Sequence, residues 1–141
     1  MPWTTPATVI AGQLMTAAFW NTHVRDNSAF LYLSAPRAAE YDNGTSGTAK
    51  TLDFSANGPL QKVTRNGNCT FTLTAPSVPS TVLVRFIHDA TGTTYTVAFS
   101  PAVKWPSGSA PTFTNTANAV DIVSLYWDGA AWWGVATTNC S

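Results

Sequence analysis

The chain has 141 residues, is 45% hydrophobic and 10% charged, and its seven basic and seven acidic residues cancel to a formal net charge of zero. That length and apolar content suit one compact domain with its own core and a modest appendage, while the balanced charge excludes the basic footprint of a nucleic-acid binder and any polybasic membrane patch. Charge is scarce against the roughly 25% of an ordinary soluble domain. Polarity falls instead to Thr, Ser, Asn and Gly, and much of the surface is expected to be covered by a partner.

No apolar run approaches the ~20 residues that span a bilayer. Met1-Pro2-Trp3-Thr4-Thr5 has neither the positive start nor the apolar stretch of a signal peptide. Synthesis in a cytoplasm is therefore expected, and with it free thiols at Cys69 and Cys140 in preference to a disulfide.

Residues 1–14 read as an extended arm, because Pro2 and Pro6 fix their own φ and push their neighbours away from helix. Val9-Ile10-Ala11-Gly12 adds a short sticky patch, and Trp3, Val9 and Ile10 are the expected contacts of this arm with a neighbouring subunit or particle surface. Residues 16–33 are the one helix candidate. Thr16 can cap it, and Ala17-Ala18 start it with strong helix formers. Ala17, Trp20, Val24, Asn27 and Leu31 follow a 3-4-3-4 spacing, a heptad seam that Phe19, His23 and Phe30 widen. Two readings stand: an amphipathic helix packed on its own domain, or a seam between subunits in which Asn27 fixes register. Two heptads do not hold an oligomer alone, so the second reading needs the following domain to contribute. Pro36 ends the helical region.

From Tyr41 the period changes to two. Asn43-Gly44 and Ser46-Gly47 read as a turn, Thr48–Phe54 as a strand, and Leu60–Arg65 and Cys69–Thr74 as a hairpin across Asn66-Gly67. Thr81–His88 is the clearest strand, with Val82, Val84, Phe86 and His88 on one face and Leu83, Arg85 and Ile87 on the other. Thr94–Phe99 follows, then a proline- and glycine-rich loop from Pro101 to Pro111. A last hairpin joins Val120–Trp127 to Ala131–Thr137 across Asp128-Gly129. About eight short strands with turn chemistry between them predict a mainly β fold, an antiparallel sandwich or jelly-roll-like domain over 41–141. Residues 1–40 read as the arm and short helix that precede it. No internal repeat stands out.

The search for chemistry comes back nearly empty, with no Gly-x-Ser-x-Gly elbow, His-Glu-x-x-His, phosphate-binding loop or Cys-x-x-Cys. His88-Asp89 resembles an acid–base pair, but neighbouring strand residues point to opposite faces, so the two side chains are not expected to meet. The ordinary account is a half-buried strand histidine with Asp89 opening the next turn. The seven carboxylates show no spacing that pairs two of them for glycoside chemistry, and Asp42-Asn43-Gly44 lacks the downstream glutamate of an EF-hand loop. No catalytic residue, metal ligand or cofactor is expected. The six tryptophans carry more weight. Trp132 and Trp133 cannot share a face of one strand, so one is core and the other outward. Trp105, Trp127 and Trp133 are the candidates for contact with a neighbouring subunit or with sugars of a receptor.

Two sets of residues carry a resemblance. Gly12-Gln-Leu-Met-Thr-Ala-Ala-Phe-Trp-Asn-Thr-His-Val-Arg-Asp-Asn27 resembles the N-terminal attachment segments of tailed-bacteriophage fibre and virion proteins. Leu52-Asp53-Phe54, Gly67-Asn68-Cys69-Thr70, His88-Asp89-Ala90-Thr91-Gly92, Val103-Lys104-Trp105-Pro106-Ser107-Gly108 and Asn118-Ala119-Val120-Asp121 are similar to pieces of the C-terminal knobs of the same class. The resemblance implies a homotrimer with clustered knobs and N-terminal segments engaging the phage major capsid protein or a tail component. Fibres of this class place a long shaft between anchor and knob, whereas here only Ser34 to Tyr41 separate them. The expectation is accordingly a non-enzymatic virion protein assembled in the host cytoplasm: first a capsid decoration or cement protein, alternatively a tail-fibre or receptor-binding tip. Neither nucleic acid nor membrane is expected as a partner.

Overall fold

The computed structural model of the protein describes residues 16–20 and 39–140, and the chain divides into two units, Met1–Ala38 and Ala39–Ser141. In the first unit the chain leaves Thr16 into a helix, α1, at Ala17–Trp20. The remainder of the expected arm and helix, including Trp3, Val9, Ile10, Val24, Asn27 and Leu31, lies outside the described residues.

The second unit is mainly β, as its alternation predicts. Nine strands follow in order: β1 (Tyr41–Thr45), β2 (Ala49–Asp53), β3 (Leu60–Arg65), β4 (Cys69–Thr74), β5 (Ser80–His88), β6 (Val97–Ser100), β7 (Val103–Lys104), β8 (Val120–Trp127) and β9 (Trp132–Cys140), with a 3-10 turn at Pro106–Gly108 after β7. They form a six-stranded sheet, ordered β1-β3-β5-β8-β9-β7, and a three-stranded sheet, ordered β2-β4-β6. Residues of both sheets meet in one core. Phe71 of β4 stands edge-on to Phe86 of β5 at 5.0 Å, and Phe113 from the loop before β8 closes on Phe86 at 5.2 Å. Inward residues alternate strictly along β5, where Val82, Val84, Phe86 and His88 are buried.

The ladders are mixed rather than antiparallel. β1–β3, β3–β5, β2–β4, β4–β6 and β7–β9 are parallel, and only β5–β8 and β8–β9 run antiparallel. The first six strands alternate between the sheets, so the chain winds through three successive rungs, each contributing one strand to each layer. Parallel neighbours need a crossover between them, and here the crossover is a strand of the opposite sheet. The expected hairpin across Asn66-Gly67 is therefore not formed. β3 and β4 lie in different sheets, and residues 66–68 make a corner between layers.

The corners stack. Gly47 N–H of the first corner donates to Asn66 Oδ1 at 2.8 Å, and Thr96 N–H of the third donates to Asn68 Oδ1 at 2.9 Å. Main-chain bonds run alongside, from Ser46 N–H to Thr64 O at 2.8 Å and from Cys69 N–H to Thr96 O at 3.0 Å. A Cβ added at Gly67 would sit 3.3 Å from Gly47 O, so the second corner lies close against the first. The turn expected at Asn43-Gly44 is instead part of β1, whose register with β3 shifts between Asp42 and Thr45, with Gly44 at φ +68°. At the opposite end, Gln61 is fully buried with its amide satisfied: Nε2 donates to Asp53 O at 2.8 Å and Gly58 O at 3.1 Å, and Oε1 accepts from Asn43 Nδ2 at 3.0 Å.

After β6 the winding stops. The β8–β9 hairpin, formed across Asp128-Gly129 as its turn chemistry predicts, extends the larger sheet beside β5. Cys69 is buried, and both it and Cys140 are free.

Candidate functional site

Strand alternation sends Trp132 and Trp133 to opposite faces. Trp132 is 1% exposed and packs on Trp127 at 5.2 Å and Phe54 at 5.5 Å, whereas Trp133 is 46% exposed on the outer face of the larger sheet. Register decides what stands beside it. Thr81 pairs with Tyr126, Tyr126 with Trp133, and Trp133 with Lys104, so one row crosses β5, β8, β9 and β7. It reads hydroxyl, phenol, indole, ammonium. Tyr126 is as exposed as Trp133, and Val135 is more so.

The indole is held. Trp133 Nε1 donates to Asp128 Oδ2 at 2.7 Å, while Asp128 Oδ1 accepts from Ala130 N–H at 2.8 Å and Ala131 N–H at 2.7 Å. The Trp133 bond first, then the two amides, pull the Asp128 carboxyl down to about 2 from its ordinary 3.8. Lys104 Nζ sits 4.4 Å from the Trp133 ring centroid, within cation–π reach.

β7 pairs with β9 only as far as Lys104 opposite Trp133, and beyond that point the chain turns away through Pro106. A cavity of about 390 Å³ opens there, lined by Thr81, Lys104, Trp105, Pro106 and Ser124 together with Tyr126, Trp133, Gly134 and Val135. Trp105 closes its inner side, packed on Phe99 at 5.7 Å. The close approach requires glycine at 134, since a Cβ there would meet Trp105 Cζ3 at 2.6 Å and Val103 Cγ1 at 2.8 Å.

The three tryptophans expected to make contacts thus separate. Trp133 is exposed, Trp105 is partly buried but lines the cavity, and Trp127 packs against the core beside Trp132 instead of facing outward. Of the expected seam residues only Ala17 and Trp20 fall among the described ones, at the two ends of α1. Residue type alone does not single out Tyr126, although the Asp128-Gly129 turn puts it opposite Trp133. Lys104 and Thr81 carried no such signal, because their strands join this row only through pairings distant in sequence.

His88 and Asp89 do meet, contrary to expectation: Nδ1 lies 3.2 Å from Asp89 Oδ1. Asp89 follows the last residue of β5, so strand alternation no longer separates the pair. The histidine is fully buried, not half-buried. Its Nδ1 is 3.0 Å from Asp89 O and its Nε2 2.8 Å from Thr93 O, and Tyr95 stacks on the ring at 5.0 Å. Asp89 is held ionised first by the Thr91 hydroxyl, with Thr91 N–H and the Tyr95 hydroxyl adding to it.

Beside it, Arg65 and Asp121 are both fully buried, 3.5 Å apart. Asp121 accepts from Thr114 N–H at 2.8 Å, Thr114 Oγ1 at 2.7 Å and Asn139 N–H at 2.8 Å. Arg65 donates Nη2 to Thr114 O and lies over Phe113 at 5.4 Å. Burial lowers its pKa, opposed by the charges of Asp121 and then Asp89. These polar residues tie β3, β5, β8 and the loop before β8 together, with the carboxylates and the imidazole fully engaged, while Arg65 Nε and Nη1 are buried without a hydrogen-bond partner among the described residues.

Among the described residues no group of three His, Cys, Asp or Glu is placed to hold a metal ion. Asp42 Oδ1 accepts Gly44 N–H at 2.8 Å and Oδ2 pairs with Lys62 at 3.1 Å. Among the described residues no helix is long and apolar enough to cross a membrane. Comparison with models of protein families, with curated proteins and with solved structures finds no match.

Proposed function

We propose that this chain is a non-enzymatic structural protein of a tailed-bacteriophage virion, acting as a homotrimeric capsid decoration protein that stabilises the shell by burying surface across it. The observation that carries the reading is the outer face of the six-stranded sheet, where Tyr126, Trp133 and Val135 stand 45%, 46% and 56% exposed on a chain only 10% charged. Exposed apolar groups clustered in this way favour a surface that works by being covered. The non-enzymatic part of the reading is supported by His88, Asp89 and Asp121, whose polar atoms are engaged within the fold. Two residues of the knob-like segments hold the fold together: Asn68 bridges two corners and Asp121 faces Arg65.

A second reading, a receptor-binding tip at the tail, is favoured by one specific feature. The cavity beside Trp133 combines aromatic rings with hydroxyls and an ammonium, a mixture suited to a small polar ligand. Particles lacking the protein separate the two. Loss of heat tolerance with normal adsorption to cells is the outcome expected of a decoration protein. Unaltered heat tolerance with lost adsorption overturns that role in favour of receptor binding.

A further inference from the structure

We propose that the row Thr81, Tyr126, Trp133 and Lys104 is a subsite for one acidic sugar, a pyranose bearing a carboxylate, within a cell-surface glycan. The inference rests on the receptor-binding reading.

A pyranose has an apolar face of C–H groups and a rim of hydroxyls. The row offers the complement, with Tyr126 and Trp133 side by side in register and the hydroxyls of Thr81, Tyr126 and Ser124 around them. None of these three hydroxyls has a hydrogen-bond partner among the described residues. A wholly apolar ligand would leave them and the ammonium unmatched. The volume of about 390 Å³ lies at the small end of the range for small-molecule sites, about 300–1,000 Å³, which suits one or two sugar rings.

The charge comes from Lys104, the single ionisable cation of the lining, which contains no carboxylate. Its partner in place is the π face of Trp133 at 4.4 Å, not an acidic side chain within ion-pair distance among the described residues. Asp128, whose carboxyl feels the Lys104 charge, already accepts three N–H groups. An incoming carboxylate therefore meets an ammonium that has no acidic partner among the described residues, at the end of an aromatic platform. The Asp128 bond and the Lys104 contact also fix the indole beforehand, so binding loses little side-chain freedom there.

The test titrates the isotope-labelled full chain with the methyl glycosides of galacturonic acid and N-acetylneuraminic acid, with methyl galactoside as the neutral control, following the Trp133 indole N–H. A saturable shift with at least one acidic sugar is expected, weaker with the neutral one. Lys104→Met is expected to weaken acidic-sugar binding by a factor of about 10, the value of one charge-assisted hydrogen bond, and to weaken neutral-sugar binding distinctly less, because only the acidic sugar loses its counter-charge. Thr81→Val serves as a second, fold-sparing variant and is expected to weaken both. Absence of any Trp133 shift at millimolar sugar overturns the proposal, as does equal binding of neutral and acidic sugars unaffected by Lys104→Met. Concentration-dependent broadening of Trp133 without sugar, marking self-association on this face, also overturns it. If purified protein binds no sugar while particles lacking it fail to adsorb, the subsite fails and receptor binding stands. If it binds but those particles adsorb normally, receptor binding fails and the subsite stands.

Discussion

Asn66 reaches back one rung of the winding to Gly47, whose amide N–H donates to the asparagine Oδ1 at 2.8 Å. The same oxygen lies 3.4 Å from Ser46 Oγ, and Asn66 N–H in turn donates to that hydroxyl at 3.3 Å. A residue whose type suggests a hairpin turn thus serves as a clamp between two corners.

Replacing it distinguishes the two arrangements. A hairpin turn tolerates Gly-Gly, so Asn66→Gly would leave a hairpin nearly unaffected. In the stacked corner the side-chain acceptor is lost, and the variant is expected to be less stable by about 1 kcal/mol. Urea denaturation monitored by tryptophan fluorescence measures it, and an unchanged midpoint contradicts the clamp.

The Arg65–Asp121 pair predicts a larger effect. Asp121→Ala leaves a buried guanidinium without its counter-charge and strips acceptors from Thr114 and Asn139. A loss of about 3–5 kcal/mol is expected. Asp121→Asn keeps an acceptor and is expected to fall between this and the wild type. A midpoint for Asp121→Ala equal to that of the wild type in chemical denaturation would show that the pair does not hold this end of the core.

Gly134 tests the packing behind the cavity. An alanine Cβ would stand 2.6 Å from the Trp105 ring and 2.8 Å from Val103. Overpacking of this kind costs about 1–3 kcal/mol, and Trp105 is expected to shift. Gly134→Ala should therefore lower the thermal midpoint and change the Trp105 indole resonance while leaving that of His88, at the far end of β5, in place.

The Trp133–Asp128 bond has a defined pH window. Because Asp128 titrates at about 2 in the fold and at 3.8 ordinarily, the native state favours its ionised form. Its contribution is fully present above 3.8 and is lost as pH falls through about 2. The Trp133 indole N–H resonance is expected to hold constant from neutral pH down past 3.8 and to move only on approach to the lower value. Asp128→Asn should remove that transition. A Trp133 transition centred near neutral pH would contradict the assignment.

The sequence by itself determined the mainly β class, the inward face of β5, the β8–β9 hairpin and the division of Trp132 from Trp133, but not β1, expected as a turn, or β7, expected within the loop from Pro101 to Pro111. All four follow from local rules: side chains alternate along a strand, and Asp-Gly turns antiparallel neighbours back on each other. Pairing between distant segments is invisible to those rules. Asn66-Gly67 carries the same local signal whether the chain folds back within one sheet or turns a corner into the other, and the choice was decided by Gly47 and Thr96, on the corners before and after it. The alternation of the first six strands between two layers, and hence the parallel ladders, arose there. The site has the same division. Trp133 was legible as an outward aromatic because the hairpin is local, and Tyr126 could have been placed opposite it. Lys104 and Thr81 reach the same row only because β7 and β5 pair with β9 and β8 across long sequence separations, and such contacts form when burial of the shared core repays the entropy of closing the loops between them.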